Sequence, residues 1–338
     1  MKAALVTGGA GFIGSHLVEK LLSSGVDVYV LDDLSTGAVR NLDAVRHHAN
    51  FHLYMDDINN GQLLTELVDR VDVVYHLAAA VGVKLIVEDP VKTIETNIHG
   101  TELVLTRCAR KRKKVILASS SEVYGKGQGT VFSEEYDLVF GPTTMPRWSY
   151  GCSKAIDEFL ALAYYKSRGL PVIVARFFNI VGPRQVGHYG MVVPRFVQQA
   201  MSGGPITVYG DGEQVRCFTH VYDLVNAVVA LANCLPAVGQ IFNVGNDQPI
   251  TINQLADRVR QLVNPDAQIV HIPYAEAYVQ GFEDIRYRVP DIAKLKKTVG
   301  FAPQYDLDRI LVDVRDYIAS QSSWSDKPAA PPGAAASP

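Results

Sequence analysis

The sequence predicts an α/β fold: a parallel sheet wound with helices on both faces, followed by a smaller α/β domain. Short apolar runs alternate with helical patterns over about the first 180 residues, as expected of consecutive strand–helix–strand units. The chain has 338 residues, of which 48% are hydrophobic and 20% charged, so it can bury a large core and build two domains. We expect the first domain over residues 1–178, with later segments returning to it, and the second mainly over 179–321.

Composition and charge disfavour several classes of protein. The net charge of −3 argues against nucleic acid or an anionic membrane as the main partner. The four cysteines are widely spaced and include no Cys-x-x-Cys pair, so we expect neither a disulfide framework nor a metal site. No apolar run has membrane-spanning length, and the Ser-, Ala- and Pro-rich residues 322–338 predict a disordered tail. We therefore expect a soluble cytoplasmic enzyme.

The first elements predict a dinucleotide-binding unit with a Rossmann-like fold. An apolar strand over residues 2–7 leads into the turn Gly8-Gly-Ala-Gly-Phe-Ile-Gly14, and a helical pattern follows until Gly25. The glycines permit a tight turn and a close approach of the backbone to a pyrophosphate at the helix N-terminus. Asp32 ends the second strand, where a carboxylate accepts hydrogen bonds from both ribose hydroxyls and repels a 2′-phosphate. The pattern therefore predicts NAD rather than NADP.

Further strands and helices extend the same alternation. We predict strands over residues 51–54, 71–77, 114–118 and 171–177, and helices around 91–109 and 151–167. In such sheets, ligands bind beyond the carboxyl ends of the strands. The residues that fall at those ends, and that we expect around the ligands, are Gly8, Asp32, Ala78, Ser120 and Asn179.

Tyr150 and Lys154 are the strongest candidates for acid–base chemistry. Their spacing places them one turn apart on the same face of a helix. An ordinary tyrosine titrates near pH ~10, which is too high for a base at neutral pH. A neighbouring ammonium group lowers the pKa of the phenol. The pair therefore predicts a phenolate that takes a proton from a substrate hydroxyl.

Nine stretches together resemble one family over roughly residues 1–310. They are TGGAGFIG (7–14), Asp32-Asp33, HLAA (76–79), Asn97, SSSEVYG (119–125), YGCSK (150–154), RFFNIVGPR (176–184), VYGDGEQVRCFTHVYD (208–223) and FNVGN (242–246). The chain is similar to the extended short-chain dehydrogenases/reductases, in particular the nucleotide-sugar epimerases, dehydratases and decarboxylases. This resemblance implies tightly held NAD and a UDP-sugar substrate, with residues 179–321 forming mainly the nucleotide-sugar-binding domain.

The resemblance also implies roles for individual residues. Ser120, Tyr150 and Lys154 form the catalytic set, with Glu122 beside them. The implied cofactor contacts are Gly8, Gly11, Phe12, Ile13, Gly14, Asp32, Asp33, Leu34, Ser35, Thr36, Gly37, Asp57, Ile58, Leu77, Ala78, Ala79, Asn97, Tyr150, Lys154 and Phe177. The implied substrate contacts are Val81, Lys84, Ser120, Ser121, Glu122, Asn179, Arg184, His188, Val193, Arg195, Thr207, Tyr209, Gln214, Arg216 and Arg288.

Three reactions that begin with oxidation at C4 stay open. A 4-epimerase returns hydride to the other face of the ketone, a 4,6-dehydratase loses water, and a decarboxylase loses the C6 carboxylate as carbon dioxide. Ser121-Glu122 departs from the Asp-Glu pair of similar dehydratases, which disfavours dehydration. We expect a 4-epimerase acting on UDP-glucuronate, or second on UDP-glucose, with UDP-glucuronate decarboxylase as the alternative. The intact catalytic set disfavours a non-catalytic NAD-binding protein.

The motifs divide between the two leading reactions. Ser-Glu-Val-Tyr-Gly, together with Arg288, resembles UDP-glucuronate decarboxylases, in which the Glu and Arg act near the sugar carboxylate. Residues 80–87 and 181–191 look more like UDP-glucuronate 4-epimerases, although those enzymes tend to carry an arginine where this chain has His188. The resemblance further implies a homodimer formed by the helices around 91–109 and 151–167.

Overall fold

The computed structural model describes residues 1–79, 90–127, 129–186, 191–277 and 285–325. Its strands are β1 (Ala3–Thr7), β2 (Asp27–Asp32), β3 (Phe51–Met55), β4 (Val73–His76), β5 (Lys114–Ser120), β6 (Val172–Phe177), β7 (Ile180–Val181), β8 (Ile206–Tyr209), β9 (Val215–Arg216), β10 (Thr219–His220), β11 (Ile241–Val244), β12 (Ile250–Thr251), β13 (Ile269–Ile272) and β14 (Tyr287–Arg288). Its α-helices are α1 (Phe12–Ser23), α2 (Gly61–Arg70), α3 (Pro90–Lys111), α4 (Ser149–Arg168), α5 (Val192–Met201), α6 (Val221–Asn233), α7 (Ile252–Val263), α8 (Tyr274–Ala277), α9 (Ala293–Val299) and α10 (Leu307–Ser325).

Seven parallel strands form the main sheet, in the order β11-β6-β5-β4-β1-β2-β3. β1 lies between β2 and β4, with Leu5 opposite Tyr29 on one side and Val74 on the other. The strand order reverses at this point, and in doubly wound sheets ligands bind in the crevice beyond such a reversal. β11 pairs with β6, so a late segment of the chain lies in the main sheet. The predicted doubly wound α/β fold is confirmed.

Helices cover both faces of this sheet. On one face α1 packs on α6, and Leu17 and Leu224 are buried between the helices and the strands. On the other face α2, α3 and α4 bury Leu64, Leu105 and Ala161. Removal of these apolar side chains from water is the main favourable contribution to folding, and it explains why the strands of the sheet read as continuous apolar runs.

A third apolar cluster lies among α5, α7 and α10, around Phe196, Leu255 and Leu311. Short strand pairs, β8 with β13 and β9 with β12 and β14, accompany it. The predicted domain boundary after residue 178 stays a prediction. α10 continues to Ser325, which is beyond residue 321, where we predicted that the ordered chain ends.

No helix in the described part of the chain is both long and apolar enough to cross a bilayer. The predicted cytoplasmic location stays a prediction.

Candidate active site

A large cleft of about 1680 Å³ lies beyond the carboxyl ends of β1, β2, β4, β5 and β6. This volume exceeds the ~300–1,000 Å³ of ordinary small-molecule pockets, so the cleft has room for a dinucleotide and a second ligand. The glycine-rich turn, Asp32 and Tyr150 line it from the sheet, and Arg195 and Arg216 line it from the C-terminal part. The predicted contacts Val81, Lys84 and His188 lie outside the described residues.

The glycine-rich turn between β1 and α1 has no room for a side chain at Gly8 or Gly14. Gly8 has a φ of +71°, and a Cβ on it would lie 2.9 Å from the backbone nitrogen of Ala78. A Cβ on Gly14 would lie 2.1 Å from the carbonyl oxygen of Gly8. Gly11 precedes α1 without a side-chain cap, and the first turn of α1 has no acidic residue. The helix N-terminus therefore offers its N–H groups and positive dipole to an anion, and the turn fits a pyrophosphate.

Asp32 presents a carboxylate to the cleft at the end of β2. One oxygen accepts a hydrogen bond from the backbone N–H of Ala10 and the other from that of Leu34, both at 2.8 Å. Burial raises the pKa of Asp32, and these two hydrogen bonds lower it in part. Each oxygen keeps a further lone pair for a ligand. A Cβ on Gly37 would lie 3.0 Å from Asp32 Oδ1, so the space beside the carboxylate depends on that glycine. The arrangement fits the hydroxyl groups of a ribose.

Ser120, Tyr150 and Lys154 meet in the middle of the cleft. α4 begins at Ser149, so Tyr150 stands in its first turn and Lys154 one turn later. Both side chains are buried, and Ser120, at the end of β5, hydrogen-bonds the phenol of Tyr150. Lys154 donates to Asp157 at 3.0 Å. Sequence reasoning missed Asp157, although its i+3 spacing from Lys154 was a signal for such a pair.

Opposing effects set the pKa values of this pair. Burial raises the pKa of Tyr150, Lys154 lowers it, Glu122 raises it, and the hydrogen bond from Ser120 lowers it. The net pKa is above the ordinary value, so Lys154 acts in the predicted direction but burial outweighs it. Burial would lower the pKa of Lys154, but Asp157 and Tyr150 raise it. The ammonium group therefore stays charged beside the phenol.

Glu122 is a largely buried carboxylate, 13% exposed, held between two arginines. It lies in a helical turn, Ser121–Tyr124, directly after β5. Arg147 Nη1 is 2.6 Å from Glu122 Oε2, and Arg288 Nη2 is 2.7 Å from Oε1, so each oxygen has its own guanidinium. Burial would raise the pKa of Glu122, but Arg288, Arg147 and Arg216 lower it to about 2. Glu122 is therefore an anion at neutral pH. We call Glu122 and these three arginines the Glu122 cluster; its net charge is positive.

Arg147 is the member of this cluster that sequence reasoning missed. It lies in a helical turn, Pro146–Trp148, just before α4, and its side chain is only 4% exposed. Its guanidinium lies 5.6 Å from the centre of the Trp148 ring. Arg147 could have been found in the sequence as a cation three residues before the candidate base Tyr150, because residues i and i+3 share a helix face.

The C-terminal part of the cleft combines cations with an aromatic ring. The guanidinium of Arg195 lies 3.9 Å from the ring centre of Tyr209 and donates to the carbonyl of Thr207 at 3.2 Å. Gln214 donates to the carbonyl of Tyr209 at 3.2 Å. Arg216 is 8% exposed and donates to main-chain carbonyls at 2.9 and 3.4 Å. Fixed guanidinium groups beside an aromatic ring suit a diphosphate and a planar base.

Two other predicted substrate contacts line the cleft but also have structural partners. Arg184, with a φ of +71°, forms an ion pair with Glu19 of α1. The side-chain amide of Asn179 donates to the carbonyl of Cys217 at 3.0 Å. The charge of Arg184 is therefore partly neutralised within the protein.

Three predicted contacts do not line the cleft: Leu34, Asn97 and Thr207. Asn97 is 1% exposed and its amide donates to Ser153 of α4 at 3.4 Å. The hydroxyl of Thr207 accepts from Gln199 at 2.8 Å, and Leu34 supplies a backbone N–H to Asp32. These contacts support neighbouring residues of the protein, and the predicted ligand contacts of Leu34, Asn97 and Thr207 stay predictions. All other predicted contacts within the described ranges line the cleft.

One cleft at the edge of a doubly wound sheet combines a glycine-rich turn that suits an anion with a buried Tyr–Lys pair. This combination defines a class of protein: enzymes that act on an alcohol or ketone with a nicotinamide dinucleotide. The sequence matches the family described as GDP-mannose 4,6 dehydratase over residues 5–314. The chain therefore belongs to this family, the NAD-dependent nucleotide-sugar epimerases, dehydratases and decarboxylases of the extended short-chain dehydrogenases/reductases. The resemblance found in the sequence is confirmed.

Relatives of this chain include decarboxylases and a 4-epimerase of UDP-linked sugars. The chain is 43% identical over 303 residues to UDP-N-acetyl-alpha-D-glucosaminuronate decarboxylase of Bacillus cytotoxicus, covering 89% of this chain and 93% of that protein. It is 40% identical over 307 residues to UDP-glucuronic acid decarboxylase 1 of Xenopus tropicalis, covering 91% and 70%. Among solved structures, UDP-glucuronic acid 4-epimerase from Bacillus cereus, in complex with UDP-glucuronic acid and NAD, superimposes with a TM-score of 0.85 at 30% identity, covering 94% and 99%.

Proposed function

We propose that the protein is a decarboxylase of UDP-linked hexuronic acids, which oxidises C4 of the sugar and then releases C6 as carbon dioxide. The observation that carries the proposal is the Glu122 cluster beside Tyr150, with guanidinium groups of Arg147 and Arg288 in contact with Glu122. Paired guanidinium nitrogens match the geometry of a carboxylate. The names of the two relatives at 43% and 40% identity support the proposal, since both are decarboxylases of UDP-linked uronic acids.

The residues that would hold NAD are the glycine-rich turn and Asp32. When bound, NAD accepts a hydride from C4 of the sugar and can return it. Tyr150 accepts the proton of the C4 hydroxyl, and Ser120 donates a hydrogen bond to the phenolate. Lys154 keeps its positive charge beside Tyr150 and stabilises that phenolate. The product of this step is a 4-keto uronic acid.

This 4-keto acid is a β-keto acid, because its C6 carboxylate is attached to C5, next to the ketone. The C5–C6 bond breaks, carbon dioxide leaves, and the electron pair moves toward the C4 oxygen as an enolate. Tyr150, now protonated, donates a hydrogen bond to that oxygen. A proton then adds to C5, which gives a UDP-linked 4-keto-pentose or, after reduction at C4, a UDP-linked pentose.

Glu122 serves this reaction as a fixed anion. With a pKa lowered to about 2, it carries no proton to donate at neutral pH, so we do not assign it the role of general acid. In the free protein, Glu122 forms an ion pair with Arg288. A negative charge near the incoming sugar carboxylate disfavours that second anion, and the loss of neutral carbon dioxide relieves the repulsion.

A 4-epimerase acting on UDP-glucuronate is the second candidate function, and it was the first choice from the sequence alone. The observation that favours it is the similarity in structure to the Bacillus cereus 4-epimerase over 99% of that chain. The same Ser120, Tyr150 and Lys154 would serve it, but C6 would stay attached to the sugar. This choice stays a prediction, and the relatives at higher identity favour decarboxylation.

Product analysis with substrates labelled at C6 tests the proposed function. We expect UDP-glucuronate or UDP-N-acetylglucosaminuronate to release its label as carbon dioxide, leaving a UDP-pentose or its 4-keto form by chromatography and mass. A product of unchanged mass that keeps the label, eluting as UDP-galacturonate, would replace the proposal with the 4-epimerase. Using both substrates side by side also decides whether a hydroxyl or an acetamido group is preferred at C2.

We further propose a homodimer formed by α3 and α4, which pack against each other in the chain. The support is their exposed apolar side chains: Phe159 is 70% exposed, Val91 63% and Ile156 47%, and apolar patches of this kind are typical of interfaces. We expect Phe159→Glu to shift the protein from dimer to monomer in sedimentation velocity. Leu235→Glu is the matched control, because Leu235 is 77% exposed but lies outside both helices. A monomeric unmodified protein would contradict the proposal.

A further inference from the structure

We propose that Arg147 is a positioning residue: it holds Glu122 in place, so that Arg288 is able to leave Glu122 and bind the carboxylate of the substrate. The inference rests on the proposed reaction with a UDP-linked uronic acid. It goes beyond that proposal because it separates the two guanidinium groups on Glu122 into a permanent partner and an exchangeable one.

The first observation is the difference between the two arginines. The side chain of Arg147 is 4% exposed, and that of Arg288 is 12% exposed. Arg147 belongs to the turn Pro146–Trp148, which continues directly into the twenty residues of α4. Arg288 belongs to the two-residue strand β14, at the edge of the small sheet, where its only strand partner in the described part of the chain is β9. Arg147 is therefore anchored in the large sheet domain, whereas Arg288 sits on a short edge segment.

The second observation is that the beginning of α4 also locates the backbone of Glu122. A Cβ on Gly151 would lie 2.5 Å from the carbonyl oxygen of Glu122, so the first turn of α4 packs directly on the Glu122 turn. Trp148, which lies beneath the Arg147 guanidinium, is 3% exposed. A Cβ on Gly141 would lie 2.2 Å from the indole nitrogen of Trp148. The side chain of Glu122 is thus held by the turn before α4, and its backbone by the first turn of α4, which carries Tyr150.

The third observation is the charge around Glu122. Among the described residues, the charged or titratable groups that act on it are the guanidinium groups of Arg147, Arg288 and Arg216 and the phenol of Tyr150. When Arg288 turns to a substrate carboxylate, a cation must stay on Glu122, because a buried carboxylate without a partner is costly. Arg147 supplies it. The negative charge of Glu122 raises the pKa of Tyr150. A guanidinium group that stays paired with Glu122 offsets part of this rise in the pKa of Tyr150.

A double-mutant cycle tests whether Arg147 acts through Glu122. The cycle compares Arg147→Met, Glu122→Gln and the double variant with the unmodified holoenzyme, measuring kcat and KM as total consumption of C6-labelled UDP-glucuronate. We expect Arg147→Met to lower kcat by roughly 10–100-fold in the native background and by less than about threefold in the Glu122→Gln background. Equal losses in both backgrounds would overturn the proposal, because Arg147 would then act independently of Glu122.

The pH profile is a second readout that a merely structural role would not move. Removal of the Arg147 charge raises the pKa of Glu122, so activity that needs the Glu122 anion is lost at a higher pH on the acid side. We expect the acid limb of kcat to move upward in Arg147→Met and to return toward its native position in Arg147→Lys. A uniform loss of activity at every pH, with an unmoved acid limb, would contradict the proposal.

Arg176→Met is the matched control. Arg176 forms a buried ion pair with Glu158 at 2.6 Å, and neither residue lines the cleft, so this variant should lose stability without moving the acid limb. If Arg147→Met fails to fold, Arg147→Gln, which also removes the charge, carries the same cycle. Retention of the C6 label would overturn the proposed decarboxylation alone, because total consumption of UDP-glucuronate still tests Arg147.

Discussion

Tyr150→Phe is expected to lower kcat by roughly 10²–10⁴-fold, the usual contribution of a positioned acid–base group. The phenyl ring fills the same buried space, since Tyr150 is only 7% exposed, and Lys154 keeps its partner Asp157. What is lost is the oxygen that accepts the C4 proton and the hydrogen bond from Ser120. We therefore expect bound NAD and the Kd for UDP to stay near their native values, measured by absorbance of released cofactor and by calorimetry.

Tyr164→Phe is the control for this experiment. It makes the same change on the same helix, fourteen residues or about 21 Å along α4, and removes only a hydrogen bond to Thr106 at 2.8 Å.

Because the phenolate is the active form and the net pKa of Tyr150 is raised, kcat/KM of the native protein should rise with pH until Tyr150 ionises. Near-native turnover of Tyr150→Phe would mean that another group takes the proton.

Much of the dinucleotide half of the site was predictable, because short stretches of sequence determine it. Gly8 and Gly14 are required by the backbone of one turn, and Asp32 and Ser120 stand at strand ends that apolar runs identify. The residue types that such turns and strand ends require depend on neighbours in the chain, so a single sequence is enough to identify these positions. For the same reason the spacing of Tyr150 and Lys154 predicted their approach on α4.

The polar pairs between distant segments were harder to predict. Glu122 and Arg288 were placed near one carboxylate only through the family resemblance. They meet where β14 pairs with β9 beside the cleft, and no local pattern contains that pairing. Burial is also a property of the whole fold, which is why Lys154 was expected to lower the pKa of Tyr150 and burial was found to outweigh it. Asn97 and Thr207 were predicted as ligand contacts from resemblance, but side-chain partners within the protein engage both.

The substrate half of the site leads to the second large prediction: Arg288→Met should raise KM for UDP-glucuronate by about 30-fold or more. This is the effect of at least ~2 kcal/mol expected when one partner of a buried, hydrogen-bonded charge pair is removed. In the free protein Glu122 still has Arg147 at 2.6 Å, so the fold should persist. UDP itself has no C6 carboxylate, so its Kd should change little. The measurement is the KM for UDP-glucuronate beside the Kd for UDP in the same variant.

Two further variants separate the charge of Arg288 from its position. Arg288→Lys keeps a cation but loses the paired nitrogens, so its KM should lie between those of the native protein and Arg288→Met. Arg286→Met removes an arginine two residues earlier whose ion pair with Asp211 is about half exposed, and such surface pairs contribute little, so its KM should stay native. An equal loss of affinity for UDP and UDP-glucuronate in Arg288→Met would place Arg288 on the diphosphate. A selective loss for UDP-glucuronate would place it on the carboxylate that the proposed reaction releases.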